Sequence, residues 1–212
     1  MKKFILYGAK GLAKELLNHI DHDYQCYNVV FFDNISKVHD EFISDNFRIL
    51  KTNNELEEFR KSEVIIAVGG PRNRGKIYNF LELNDFTPFG FISNRAHIGK
   101  LDNKISKSAV ILSGSEITIS VSIGNGTLIN KGVTISHDVK IGKFVEISPG
   151  AKIMGRCEIG DFSQVGAGAV ILPDIKVGKD CIVGAGSIVT KDIPDNHIHV
   201  GVPAKFLKVN DA

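Results

Sequence analysis

Residues 121–141 read VSIGNGTLINKGVTISHDVKI, with isoleucine at every sixth position: Ile123, Ile129, Ile135 and Ile141. The same period runs outward in both directions, through Ile105, Ile111 and Ile117 before the stretch. After it come Ile147, Ile153, Ile159, Val165, Ile171, Val177, Val183 and Val189. A second small or branched residue stands two places before each from Ile111 to Val183: Ala109, Ser115, Val121, Thr127, Val133, Val139, Val145, Ala151, Cys157, Ser163, Ala169, Ile175 and Cys181. Positions two apart on a strand share a face, so each pair is the inward side of one short strand. A period of six is then one strand and one turn. Gly124, Asn130, Gly142, Gly160, Gly166, Gly178 and Gly184 follow the aliphatic residue directly and are expected to supply positive φ at the turn. Three such turns close a coil of eighteen residues, and from Ile105 about five coils stack at roughly 4.8 Å each into a parallel β-helix.

The segment in front follows another rule. Phe4 to Ala9, Val29 to Phe32 and Val64 to Val68 read as buried strands, and Phe86 to Ile92 as a short strand leading out. Helices are expected over Leu12 to Ile20, around Asn54 to Lys61 and over Arg72 to Leu83, with a polar loop after Asn34. Strands alternating with helices make a small Rossmann-like βαβ domain over residues 1–93, with the β-helix and its C-terminal cap over 94–212. The loops at Gly8 to Gly11, Asp33-Asn34 and Gly69-Gly70 all follow strand C-termini, where open α/β sheets bind ligands. Together they point to a nucleotide phosphate or base. NAD is not expected, because Ala13 stands where a dinucleotide fingerprint has its third glycine. Asp33 suits either a contact to ribose or base, or a turn cap.

The net charge of +2, without a basic run, argues against nucleic-acid binding. No stretch is long enough to span a bilayer and no signal peptide is recognisable at the start, so membrane insertion is not expected and a cytoplasmic location is. Of three cysteines, Cys157 and Cys181 fall on inward positions, as small apolar residues do.

His137 is the one histidine within the hexads counted from Ile105. It falls at an outward corner beside Asp138, and one coil further on stands Gly155, a bare backbone step that leaves room for a ligand. Imidazole is suited to accepting a proton from an attacking amine or hydroxyl. Asp138 would orient it, or is a solvated surface acid. A second corner carries Ala167 and Ala185 in the runs Val165-Gly166-Ala167-Gly168-Ala169 and Val183-Gly184-Ala185-Gly186-Ser187. Small residues there make a groove for an extended thiol carrier, or only satisfy tight turns. A zinc lyase on the same scaffold would need three converging histidines, and His97, His197 and His199 are expected at the surface, outside the hexads. A non-catalytic trimeric scaffold would make His137 dispensable.

The GAxG loop at Gly8, Asp33, Gly69, the hexads, His137-Asp138 and the terminal Gly201-Val202-Pro203-Ala204-Lys205 together resemble the bacterial hexapeptide-repeat acyltransferases of sugar-nucleotide pathways, the sialic-acid O-acetyltransferase-like group. The resemblance implies a left-handed β-helix and a homotrimer with active sites between subunits. It implies acetyl-CoA as co-substrate, no metal, and N-acetylation of a nucleotide-linked 4-amino-4,6-dideoxy sugar for surface glycans, with O-acetylation of a hydroxyl such as that of sialic acid as the alternative. Carried over by position, His137 is the general base and Asp138 its acidic partner. Gly155, Ala167 and Ala185 meet the pantetheine arm. Asn130 reaches substrate from a neighbouring subunit, and Gly8, Lys10, Gly11, Asp33 and Gly69 line the nucleotide-sugar pocket. Lys10 and Leu12 stand where the family carries a small residue and a histidine. Glu146 stands where some members carry a second histidine near the thioester.

Overall fold

A computed structural model describes residues 3–23, 28–35, 42–43 and 47–211. The N-terminal domain is built from β1 (Lys3–Tyr7), α1 (Gly11–Asp23), β2 (Asn28–Phe32), β3 (Phe42–Ile43), β4 (Phe47–Leu50), α2 (Asn53–Glu57), β5 (Glu63–Ile66), α3 (Pro71–Leu83) and β6 (Thr87–Phe89). The sheet order β3-β4-β2-β1-β5-β6 is parallel except for the β3–β4 pair. β2 and β1 lie at its centre, and the reversal of strand order between β1 and β5 sets the loops after β1, β2 and β5 together at one edge. The strands β3 and β4 occupy part of the segment expected as a polar loop; residues 36–41 and 44–46 of that loop lie outside the described residues. The helix expected to Lys61 stops at Glu57. Thr52 caps it with a reciprocal box to Glu55, whose carboxylate is held down to about 2, chiefly by the backbone N–H of Lys51.

The second part is a left-handed parallel β-helix whose strands are two residues long. Three faces stack in parallel, each strand pairing with the one a coil away: Leu128–Ile129 on Glu146–Ile147, Thr134–Ile135 on Lys152–Ile153, and Lys140–Ile141 on Glu158–Ile159. From Ala109 to Val189 the inward residues are buried, the apolar ones in one continuous cluster against which Ile105 is partly buried. Where the i−2 position is polar, its side chain reaches the carbonyl fifteen residues on. Ser115 Oγ donates to Asn130 O, Thr127 Oγ1 to Gly142 O and Ser163 Oγ to Gly178 O, at 2.7–2.8 Å. The Cys157 thiol does the same toward Leu172 O, and that of Cys181 reaches Pro194 O, thirteen residues on. No hydroxyl in that row enters the core unpaired, which is what lets Ser and Thr replace Val there.

Two sequence expectations are corrected here. The positive-φ residue lies three places after the aliphatic one, as at Gly114, Gly126, Gly132, Asp138, Phe144 and Arg156. The glycines directly after it, Gly124 among them, answer to packing instead: a Cβ on Gly124 would lie 2.6 Å from the backbone of Gly142 in the next coil. The helix also begins before Ile105. The run expected as one strand over Phe86 to Ile92 splits at Gly90. Thr87–Phe89 stays in the N-terminal sheet, while Phe91–Ile92 pairs with Val110–Ile111 as the first strand of a coil continued by His97–Ile98 and Lys104–Ile105. His97 is therefore inside the array.

At the far end Ile193 bridges to Val177, and β24 (His197–Val200) joins the first face beside Ile182–Val183. It turns back antiparallel as β25 (Lys205–Val209), closing the open end of the stack. His197 and His199 are half-buried, stacked on each other and packed at an angle against Phe206, rather than free at the surface. Among the described residues no helix is long and apolar enough to cross a membrane.

Candidate active site

The expected site residues fall into three groups. The first lies at the corner between the second and third faces. There Asp138 is in the left-handed region (φ 62), a conformation Asp tolerates because its short polar side chain can bond locally. Its Oδ2 lies 2.7 Å from His137 Nδ1. A carboxylate accepts, so Nδ1 is the donor of this bond, and in the neutral tautomer that fits it Nε2 keeps its lone pair. With side chains 48% and 54% exposed, the pair adds little stability and serves to fix the ring. Gly155 sits directly against the imidazole: a Cβ there would be 2.8 Å from both Cε1 and Nε2. The backbone joins the same residues, Arg156 N–H donating to His137 O and Asp174 N–H to Gly155 O, each at 3.0 Å. Arg156 holds Asp174 in a two-point pair at 2.6 and 2.7 Å, which lowers that carboxyl further below the usual range and raises the guanidinium.

The second group, at the corner between the first and second faces, contains Asn130, Ala167 and Ala185. Ala167 and Ala185 are exposed, one coil apart, and Gly186 N–H donates to Ala167 O (2.8 Å). Asn130 is 8% exposed, its N–H on Ile147 O and its carbonyl accepting from Ser115. Within one chain this corner is a different edge of the prism from that of His137.

The third group is a cleft of about 750 Å³ at the C-terminal edge of the N-terminal sheet. Gly8, Lys10, Asp33 and Gly69 all line it, with Asn73, Lys76 and Ile77 from the first turns of α3. Gly11 does not; it is the exposed first residue of α1. Gly8 has φ 123, and a Cβ would meet Ala67 O at 2.8 Å, so β1 and β5 can approach only over a glycine. The Asp33 carboxylate is 8% exposed and accepts from the amides of Ala9 and Ile35, both at 3.2 Å. It thus ties the first two loops together, the turn-cap role that sequence left open. Tyr7 lines the floor, its hydroxyl pushed up by burial and then by the charge of Asp33. Asn73, Lys76 and Ile77 were legible as the i, i+3, i+4 face of a helix that follows the Gly69-Gly70 turn. Tyr7 was not, since nothing in its sequence neighbourhood marks a tyrosine at a strand end as pocket floor.

Residues 3–81 match a family described as the PglD N-terminal domain, and residues 120–155 and 156–191 match the bacterial transferase hexapeptide (six repeats). The chain belongs to the hexapeptide-repeat sugar acyltransferases. Solved structures agree over nearly full length. The acetyltransferase domain of PglB from Neisseria gonorrhoeae, in complex with acetyl coenzyme A, is 27% identical with a TM-score of 0.88, covering 97% of this chain and 99% of that one. WeeI from Acinetobacter baumannii is 25% identical with a TM-score of 0.89, covering 98% and 100%. A point mutant of perosamine N-acetyltransferase from Caulobacter crescentus, in complex with CoA and GDP-perosamine, is 24% identical with a TM-score of 0.87, covering 98% of each chain, a likeness of fold. No curated protein matches in sequence. Among the described residues, no three His, Cys, Asp or Glu side chains converge as metal ligands in this acyltransferase.

Proposed function

We propose that this acyltransferase uses acetyl-CoA to N-acetylate a nucleotide-linked 4-amino-4,6-dideoxy sugar for surface-glycan assembly, as a cytoplasmic homotrimer. The observation that carries the reading is His137 held by Asp138 with Nε2 presented over Gly155. Nε2 accepts the proton lost by the sugar amine as its nitrogen bonds the thioester carbonyl. The C–S bond then breaks, and CoA leaves as the thiol once its sulfur is protonated. The Gly155 amide forms no hydrogen bond to any described residue and supports an oxyanion role. A covalent acyl-enzyme is not required: both described cysteines face the core, and burial raises their thiols. In this reading the N-terminal cleft holds the nucleotide. Ala167 and Ala185 from a neighbouring subunit, with Asn130, complete the site at the His137 corner.

The test is thiol release from acetyl-CoA with UDP-, GDP- and dTDP-linked 4-amino sugars, using wild type and His137→Ala. Turnover of one amino sugar is expected, falling about 10²–10⁴-fold in the variant, the usual contribution of a general base. Reaction with a hydroxyl acceptor such as sialic acid alone would make this an O-acetyltransferase. Equal rates in the two proteins would remove His137 from the chemistry.

A further inference from the structure

Arg74 is the largest side chain of the described residues with no solvent exposure, and it lies outside every motif of the sequence. It stands in the first turn of α3, and its guanidinium crosses the seam between the two domains. Nε donates to Gly126 O of a β-helix turn at 2.8 Å. Nη1 donates to Ile66 O and Val68 O, at the C-terminal end of β5, at 3.0 and 2.9 Å. Val68 and Gly69 are a wall of the cleft. Burial brings the guanidinium down to about 10, which leaves it a cation at neutral pH, and Glu146 is the charge that opposes this shift. Glu146 projects from the β-helix face under the N-terminal domain, and its Oε2 accepts from Gly70 N–H at 2.8 Å. Two residues on from Gly70, Arg72 lies over the Phe162 ring at 4.6 Å and donates to Asp180 at 2.8 Å. Gly70, Arg72 and Arg74 are therefore each fastened to the β-helix, and they follow directly on Val68 and Gly69 of the cleft wall.

We propose that Glu146, backed by Arg74, is a positioning residue for the nucleotide: it fixes the Gly69–Gly70 wall in the conformation that receives a nucleoside diphosphate. This rests on the proposed reading of the cleft. The carboxylate is bound to a backbone amide beneath the N-terminal domain, on the first face, while His137 stands at the corner between the other two. In this proposal Glu146 acts through the Gly70 amide on the nucleotide wall and not on the acyl group.

The test combines calorimetric titration of the full-length protein with UDP, GDP and dTDP, steady-state kinetics, and thermal unfolding, for wild type, Glu146→Gln and Glu146→Ala. Gln keeps an acceptor for Gly70 N–H but not the charge facing Arg74. Losing a charge-assisted hydrogen bond is expected to weaken nucleoside diphosphate binding and raise KM for the nucleotide sugar about tenfold in the Ala variant, and about threefold in Gln. The kcat should stay within about twofold of wild type and the KM for acetyl-CoA should not move, as a wall that acts only on the nucleotide requires. If Glu146→Ala does not fold, Glu146→Gln carries the comparison alone. Unchanged nucleotide binding, a fall in kcat without a change in KM, or equal losses for both substrates alongside a lowered Tm would overturn the positioning role while the nucleotide reading stands. A wild type that binds none of the three nucleotides overturns the cleft reading and the positioning role with it.

Discussion

Gly155 is where backbone and chemistry meet. It is the residue one coil below His137, and the imidazole occupies the space that any side chain would fill: a Cβ at Gly155 would come within 2.8 Å of two ring atoms. Gly155→Ala leaves the hexad aliphatics untouched, so the fold should persist, but the ring must tilt away from Asp138. A displacement of that order in a proton-transfer pair costs about a hundredfold in rate, so kcat should drop by about that factor with thermal unfolding within a few degrees. An unchanged kcat would show that the seat of the ring is not needed. Asp138→Asn separates geometry from charge: Asn tolerates the same left-handed backbone, and its amide can still meet Nδ1 through oxygen. A loss of about tenfold in kcat is expected if the carboxylate stabilises the protonated imidazole that forms during transfer, against the much larger loss in His137→Ala.

Two kinds of glycine recur in the coils, and they should respond differently to one methyl group. Gly132 has φ +66 with nothing within 4 Å of a Cβ, and other coils carry Asp138, Phe144, Arg156 and Phe162 at the same step of the turn. Gly132→Ala should therefore cost only the left-handed backbone penalty, about 1–2 kcal/mol. Gly124 has an ordinary φ but faces the Gly142 backbone at 2.6 Å, and a main chain cannot swing aside as a side chain can. Gly124→Ala should cost about 3 kcal/mol or more by forcing two coils apart. Denaturant midpoints of the two variants give the ranking, and the reverse order would contradict this account of the turn. The hexads were legible because each strand of a coil pairs with the strand eighteen residues on, so this part of the fold is written in one dimension. The first coil was not, for a simple reason: Ile92 and Ile98 keep the period, but Ile105 follows Ile98 by seven positions, and the extra residue in the loop breaks the count. Likewise the Gly8, Asp33 and Gly69 loops were readable from strand order, whereas Arg74 was not. A single arginine on the inner side of a helix gives no sign in sequence of the three carbonyls waiting for it across the seam.

The arrangement of the whole molecule poses the last question, because one chain does not gather its candidate residues. His137, Asp138 and Gly155 line one edge of the prism, and Asn130, Ala167 and Ala185 another; in the proposed trimer each active site takes its base from one subunit and its thioester groove from the next. Two defects in different subunits can then complement. His137→Ala removes the base but keeps the groove, and Ala185→Trp blocks the groove but keeps the base, so neither homotrimer should turn over. When the two are denatured together and refolded, a site is intact wherever a blocked-groove subunit supplies the base to a neighbour with an open groove. Random assembly into closed rings makes that about a quarter of all sites, so about a quarter of wild-type activity should return. Mixing the folded variants without exchange should restore none, which separates subunit sharing from any effect of added protein. If co-refolding also restores nothing while light scattering shows mixed trimers, base and groove do not meet across the subunit boundary, and the thioester must reach His137 along a path within one chain.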